Sequence, residues 1–517
     1  MILINSSPRN PVKLFQPFTP VYVPIGLGYL MEAAARQGID SVCVDEQVED
    51  DIIAAVQRHI ASFPRPAFFG FSVLTLAFAS AIRAADRLKA LYPDCTICFG
   101  GIHPTALPDE VLGFPSVDYV IRGEGEIALP ALVRALREGG DLSRVGGLSY
   151  RKDGGIVHND RAETIDDLDA VPFPYHRFTA SRYDLGFVVS SRGCPYNCIF
   201  CSNRVTTGKK YRVRSAAAIA DELEMLLRTY GRRQILFLDD NLLVNRERIA
   251  ALMAEIRRRG LHEQMHFSFQ ARGDNVTRPL LRDLSAAGFR SVFFGLETAS
   301  ERIMKIIKKG ETVAQCADAV RMAKEQGLHV SATFIYALPG ETHQDRMDAV
   351  RMSRDLGIDM VRFNNATPYP GTELYDIAKR EGRLVVQGLY ENYNAVSTFI
   401  ENPFRPIPFS YVPAGNTEDE IRRDILFSYF RYYLDWARLK KVFVRPDLGV
   451  RWFDAGRRFR DVLRKVPALA ALALLFLFKM LQFFHYAVLK RGTAVSWRFF
   501  FSVFEGLCGR RGPGRER

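Results

Sequence analysis

The sequence predicts an α/β protein in three parts: a doubly wound, Rossmann-like parallel sheet, a partial (β/α)6 TIM-type barrel, and a mainly helical, basic C-terminal region. Three observations predict it. Short apolar runs alternate with amphipathic helical stretches in two successive series, with a proline-containing connector between them. Three cysteines stand as C-x3-C-x2-C at the start of the second series. Residues 421–517 carry 21 Lys and Arg against 7 Asp and Glu, so the overall net charge of +12 resides there and the rest of the chain is near neutral. At 517 residues the chain exceeds one ordinary core, and a composition 48% hydrophobic and 25% charged is that of a globular protein.

Residues 1–150 form the first unit. Strands are expected at 1–5, 41–44, 67–72, 96–99 and 119–121, with helices at 26–37, closed by Gly38, and at 77–91. Strands covered on both faces read as unbroken apolar runs, as in Ala67-Phe68-Phe69-Gly70-Phe71-Ser72. The opening Met1-Ile2-Leu3-Ile4-Asn5 is read as such a strand, since it lacks the basic lead-in and apolar length of a signal peptide. Doubly wound sheets bind ligands beyond the carboxyl ends of their strands. The candidate binding residues are therefore Ser72 and Thr75, then Gly100, Gly101 and His103, then Glu124 and Gly125 of the Arg122-Gly123-Glu124-Gly125-Glu126 turn. Cys95 and Cys98 have the spacing of a redox pair, but residues three apart on a strand face opposite ways, so both are read as core. Residues 151–180 are expected to be a polar connector. It turns at Lys152-Asp153-Gly154-Gly155 and ends at Val171-Pro172-Phe173-Pro174, where two prolines block helix and sheet alike.

Residues 181–382 form the second unit, with strands at 187–190, 234–238, 266–270, 291–295, 329–336 and 360–364. Helices lie between them, for example at 216–230, 246–259, 278–287 and 313–326. Six β/α units suggest a partial barrel whose chemistry sits on the loops leaving the strands. Those positions carry Asp239-Asp240-Asn241, Arg272, Asp274, Glu297, Thr298 and the Thr367–Thr372 turn. The first strand delivers Cys194, and a Gly/Pro/Asn loop curls Cys198 and Cys201 back beside it. Three converging thiolates suit a soft metal. Zinc usually takes a fourth protein ligand, and no later Cys or Cys/His pair supplies one. A four-iron cluster on three cysteines leaves one iron open for a small molecule. Eight cysteines in a chain of this length are no disulfide framework, and with a cluster loop they imply a reducing, cytosolic setting.

This cysteine spacing, with Phe200 before the last cysteine, resembles the radical SAM enzymes, and the likeness runs through F-L-D-D-N, G-L-E-T-A-S, A-L-P-G-E-T and T-P-Y-P-G-T. The resemblance implies a [4Fe-4S] cluster on Cys194, Cys198 and Cys201 whose open iron chelates S-adenosylmethionine (SAM). It places Asp239 and Asp240 near the methionine end, Glu297 and Thr298 at a SAM-contacting turn, and Ile335 beside adenine. Arg272 joins them as a cofactor-binding candidate. The fifth strand departs from the family, with Thr333 and Ala337 where glycines are usual. The first unit, with its early Pro24, Gly26, Leu27, Tyr29, Leu30 pattern, Gly100-Gly101 loop and R-G-E-G-E turn, resembles the cobalamin-binding domain fused to one large class of these enzymes. No D-x-H-x-x-G triplet is present. Bound cobalamin is accordingly expected to have a displaced, buried nucleotide tail and no histidine on cobalt.

The third part, 383–517, begins irregular and rich in Pro, Tyr and Phe. A long helix is expected at 418–441 with aromatics at 427, 429, 430, 432, 433 and 436, too many for one face. The stretch 466–489 reaches the roughly 20 apolar residues of a bilayer span only by including Lys479, Gln482 and His485. These three form a polar strip, which suggests a helix lying in the headgroup region. A buried interdomain helix and a single span are the alternatives.

The resemblance implies a cobalamin-dependent enzyme that uses a 5′-deoxyadenosyl radical to functionalise an unactivated carbon, most simply by C-methylation of a hydrophobic or lipid substrate. Same-fold outcomes, namely cyclisation, ring contraction or oxygen insertion, are the nearest alternatives. A cobalamin- or cluster-binding sensor with a nucleic-acid-binding tail is the alternative of another class. No nucleic-acid motif supports that one, so no nucleic acid is expected. An electron donor of the flavodoxin or ferredoxin type is expected, docking near Arg192 and Lys209/Lys210, as is a cytoplasmic location at the inner membrane face.

Overall fold

The computed structural model describes residues 1–7, 21–160, 164–395, 398, 401–436, 438, 459–490, 497–505 and 507. The first sheet has seven strands in the order β2-β1-β3-β4-β5-β6-β7. They are β1 (Ile2–Asn5), β2 (Val42–Asp45), β3 (Phe68–Ser72), β4 (Thr96–Gly100), β5 (Tyr119–Ile121), β6 (Leu148–Lys152) and β7 (Gly155–His158). The first five are parallel and match the expected doubly wound unit. Ile2, Ile4, Phe69, Phe71, Ile97, Phe99 and Val120 are buried against helices on the faces, which is why these strands read as continuous apolar runs. The order 2-1-3-4-5 places its switch point between β1 and β3. Cys95 and Cys98 are both buried free thiols that face separate cores.

The sheet runs on into the segment expected to be a polar connector. Strands β6 and β7 form an antiparallel hairpin on β5, turning at Asp153 (φ 50) and Gly154 (φ 79). Its outer half is exposed, at Arg151 and Lys152 on β6 and at Gly155, Ile156 and His158 on β7, so its side chains lack the apolar signature that marked the central strands.

The second sheet has six parallel strands in the order β15-β14-β13-β12-β11-β8. They are β8 (Phe187–Val188), β11 (Gln234–Phe237), β12 (His266–Ala271), β13 (Phe289–Glu297), β14 (His329–Tyr336) and β15 (Met360–Asn365). The helices between them start where side chains satisfy the first free amides: Ser215, Asn245, Thr277, Thr312 and Thr342 all accept from backbone N–H groups. A two-stranded antiparallel ribbon, β9 (Ser191–Arg192) with β10 (Arg212–Val213), closes the base of the cysteine loop.

The helix Glu418–Tyr433 explains its surplus of aromatics by serving two faces. Tyr429, Tyr432 and Tyr433 pack on the barrel, while Phe427 and Phe430 pack on the C-terminal helix Phe459–Phe484. The Tyr433 and Tyr429 hydroxyls accept the backbone N–H groups of Val361 and Phe363 at 3.0 and 3.2 Å, capping the free edge of β15. The end of the expected helix, 439–441, lies outside the described residues.

The C-terminal helix corrects one expectation. Lys479 and Gln482 do not form a solvent-facing strip. The Lys479 ammonium is fully buried and donates to the Thr398 carbonyl at 2.6 Å and to Gln482 at 3.1 Å. Gln482 in turn donates to the Pro403 carbonyl. The Thr398 and Pro403 carbonyls take the place of water around these polar groups, so this polar side turns inward and the leucines turn out.

Candidate active site

The cysteine loop is shaped by its backbone. Gly193 sits at φ 87, where a Cβ would stand 2.2 Å from the Lys210 carbonyl, so only glycine fits. Ile199 is clamped between the Ile307 carbonyl at 3.1 Å and the Leu374 amide at 2.9 Å, fixing the loop to the end of the helix Glu301–Ile306 and the start of the helix Glu373–Arg380. Cys194, Cys198 and Cys201 are half-buried free thiols. Burial raises all three, Cys201 to about 11, while backbone N–H groups of Tyr196 and Asn203 aimed at Cys194 and Cys201 oppose the rise. Among the described residues no three His, Cys, Asp or Glu side chains converge on a single-ion position. Three thiols that each take a separate iron of a cluster need not converge, so the arrangement suits a cluster better than zinc.

Around Cys198 lies a buried charged network. Glu297, itself at φ 64, accepts from Lys309 at 3.0 Å, and Lys309 also pairs with Glu311 at 3.5 Å. Burial opposes the Lys309 ammonium, but the two carboxylates hold it above the ordinary lysine range. Arg272 grips Asp274 through two bonds of 3.0 and 2.9 Å and stacks 3.7 Å over the Tyr196 ring. Its remaining nitrogen, Nη1, is buried without a protein acceptor. A buried donor beside the cysteines suits an anionic group, such as the carboxylate of a chelated amino acid. Thr298 is buried and accepts from the Ser300 amide at 3.2 Å, and Ile335 is half-buried on β14 opposite Asn364.

The paired aspartates separate. Asp239 accepts from Ser190 Oγ at 2.7 Å, the Ser190 amide at 3.2 Å and Ser191 Oγ, with Arg248 at 3.7 Å, so its carboxylate is consumed in joining β8 to β11. Asp240 is the one that opens outward. It accepts from Asn203 and lines a cavity, and burial raises its carboxyl.

That cavity, of about 340 Å³, lies between the two sheets. Ser72, Gly100, Gly101, Gly123, Glu124 and Gly125 line one side, and Val189, Ser191, Gly193, Thr206, Leu238 and Asp240 the other. Gly26 has open space where a Cβ would stand, and Gly123 meets only the Thr206 carbonyl at 3.8 Å, so a flat ring can approach bare backbone there. This glycine-walled slot, beyond the carboxyl ends of β3, β4 and β5, suits the flat face of a corrin. Two expected residues do not reach it. Thr75 is buried away from the cavity. His103 is fully buried, packed 4.2 Å from the Phe78 ring and 4.9 Å from Tyr390, and burial lowers its imidazole to about 3. Glu124 lines the cavity but spends its carboxylate on Arg212, Arg192 and the Ile165 amide. Arg192, expected near a docking electron donor, is instead enclosed by Glu124, Glu126 and the Tyr29 ring.

Residues 188–353 match the radical SAM superfamily and residues 14–133 match the B12 binding domain. An uncharacterized methyltransferase of Pyrococcus horikoshii is 33% identical over 448 residues, covering 85% of this chain and 93% of that one. The chain belongs to the cobalamin-binding radical SAM enzymes. Its cofactors are accordingly a [4Fe-4S] cluster, SAM and cobalamin, and family membership replaces the sensor alternative. This radical SAM enzyme is also similar to the anaerobic magnesium-protoporphyrin IX monomethyl ester cyclase of Rubrivivax gelatinosus (26% identical, covering 85% of this chain and 81% of that one). A third relative is the hopanoid C-3 methylase of Methylococcus capsulatus (27%, covering 70% and 71%). Among solved structures, the cobalamin-dependent SAM radical enzyme OxsB shares the fold with a TM-score of 0.68 at 17% identity, covering 98% of this chain and 75% of that one.

Sequence reasoning missed Lys309, Glu311 and Arg212. Lys308-Lys309-Gly310-Glu311 offered a signal, opposite charges crowded onto a turn just after G-L-E-T-A-S. Arg212 had only the complementary acids of R-G-E-G-E to announce it.

Proposed function

We propose that this enzyme C-methylates an unactivated carbon of a hydrophobic substrate of the lipid class. One observation carries the reading: the glycine edge of the first sheet and the cysteine-loop edge of the barrel open into the same cavity. A methyl donor held on one wall and a radical source on the other would then face one substrate carbon. The bound cofactors supply the methyl group and the 5′-deoxyadenosyl radical, while the protein binds, orients and excludes water. In this reading Cys194, Cys198 and Cys201 hold the cluster. Asp240, Arg272, Glu297 and Thr298 set the SAM side, with Ile335 near adenine. Ser72, Gly100, Gly101 and Gly125 admit cobalamin. Glu124 braces the two walls. Leu3, Leu27, Leu30, Ile121, Leu129 and Leu238 give the cavity an apolar lining, which supports a hydrocarbon substrate, as does the likeness to a hopanoid methylase. A flavodoxin- or ferredoxin-type donor would supply electrons from the cytoplasm, with the enzyme peripheral on the inner membrane face.

The cyclase relative favours a second reading, in which the same radical closes a ring. Anaerobically reconstituted enzyme, given methyl-labelled SAM, cobalamin and a reductant, separates the two when offered a hopanoid, a polyprenoid or a phospholipid. Label in the lipid, with 5′-deoxyadenosine and S-adenosylhomocysteine formed together, is the expected result. 5′-Deoxyadenosine with no methyl label in any lipid would overturn the methylation of lipids.

A further inference from the structure

The C-terminal helix Phe459–Phe484 has its polarity reversed. Lys479, a charge in the middle of an apolar stretch, is wholly enclosed, while Leu474, Leu477 and Leu481 are each more than half exposed. These leucines recur at i, i+3 and i+7, one stripe of a helix. Phe478 lies beside the stripe and meets Phe404, itself 72% exposed, at 5.1 Å between ring centres. The following helix Trp497–Ser502 adds Trp497 and Phe501, also more than half exposed and stacked at 5.8 Å. Large apolar side chains gathered on one surface mark a partner site. Here three separate segments contribute to it.

The charge of the region selects the partner. Residues 421–517 carry 21 Lys and Arg against 7 acids, which suits a negatively charged surface. Exposed tryptophan beside leucine and phenylalanine suits the boundary between headgroups and acyl chains. The stretch Ala470–Leu489 is long and apolar enough to cross a bilayer. The folded body, however, holds its other side. Lys479 is bonded to Thr398 and Gln482 to Pro403, with Glu401 3.8 Å from Lys479, while Phe483, Tyr486 and Ala487 are packed under Phe427 and Phe430. A helix gripped along one side by protein cannot be ringed by lipid.

We propose that this face inserts into one leaflet of an anionic bilayer, leucine stripe down, with Lys479 pinning the helix to the enzyme body. The inference rests on the lipid-substrate reading for its purpose, but not for its test.

The test uses full-length holoenzyme and vesicles of phosphatidylglycerol with phosphatidylcholine. Leu477→Glu/Leu481→Glu alters only exposed side chains and should form 5′-deoxyadenosine at the wild-type rate while losing vesicle binding by tenfold or more. With Trp436→Phe and Trp452→Phe leaving Trp497 as the only tryptophan, brominated lipids should quench it when the bromine is near the headgroup and not at the bilayer centre. Three results would each overturn the proposal: vesicle binding by the double variant equal to wild type, strongest quenching at the bilayer centre, or a wild-type dimer in solution that the double variant abolishes while vesicles go unbound. Methylation of a detergent-dispersed hopanoid or polyprenoid is measured alongside. Turnover there without vesicle binding sinks the face and spares the substrate class, and vesicle binding without turnover does the reverse.

Discussion

Glu124, on the turn after β5, accepts from both terminal nitrogens of Arg212 at 2.9 and 2.7 Å, across the boundary between the first sheet and the ribbon that carries the cysteine loop. Both side chains are nearly inaccessible to water. Removing one partner of such a pair leaves the other charge buried and costs roughly 3–5 kcal/mol. Glu124→Ala should therefore lower the denaturant midpoint strongly. Arg212→Met added to that variant should cost far less than it does alone. Equal, additive losses in the double-mutant cycle would show that the pair is not a brace.

Cys194, Cys198 and Cys201 are expected to act as a unit. Changing all three to Ala should abolish iron retention after anaerobic reconstitution and the formation of 5′-deoxyadenosine with dithionite, while circular dichroism stays near wild type. Iron content and turnover that survive the triple change would reassign the loop.

Ala337 lies at φ 66, in the left-handed region, where the resemblance to the family leads one to expect glycine. Its amide is retained by Glu341 at 2.7 Å. A single left-handed non-glycine residue costs about 1 kcal/mol or more. Ala337→Gly should relieve that strain and stabilise the enzyme by up to about 1 kcal/mol, offset in part by the added freedom of glycine in the unfolded chain. Thermal unfolding should shift upward, and a downward shift would show that the methyl group contributes more in packing than the backbone loses.

His103 sets a pH dependence. Burial alone lowers its imidazole from 6.5 to about 3. Between those values the unfolded chain binds a proton that the folded one refuses, so this contribution to stability is complete above pH 6.5 and is lost as pH falls, at up to about 1.4 kcal/mol per unit. His103→Phe, surrounded by Phe78 and Tyr390, should be nearly neutral at pH 7 and should lose stability less steeply than wild type toward pH 4. Parallel curves for the two proteins would mean that His103 protonates freely in the folded state.

The parallel strands of both sheets were legible because strands covered on both faces carry continuous apolar stretches, as at 68–71 and 292–296. The hairpin β6–β7 was not, since half its side chains face water and it reads as connector. The cysteine loop declared itself by spacing. The pair Asp239-Asp240 did not, because no local pattern says which of two adjacent carboxylates turns inward. Here Ser190, Ser191 and Arg248 decide it, and they lie 9 to 49 residues away. His103 was singled out as a loop residue beside Gly101, whereas Phe78 and the distant Tyr390 bury it. The Lys479 strip failed for a related reason: amphipathic periodicity locates the polar face of a helix without saying whether water or a carbonyl awaits it.

The two tyrosines that cap β15 illustrate a matching of rulers. Four residues along a helix rise about 6 Å, and two residues along a strand rise about 6.6–6.8 Å. Tyr429 and Tyr433 on the helix therefore meet Phe363 and Val361 on the strand in step. A partial barrel must dispose of its raw edge, and here side chains do it where another fold would add a strand. Because these two bonds read only backbone, they set no requirement of their own on the side chains of the strand beneath. An edge sealed in this way stays closed through changes in the strand's own sequence, since every residue but proline offers the same backbone N–H.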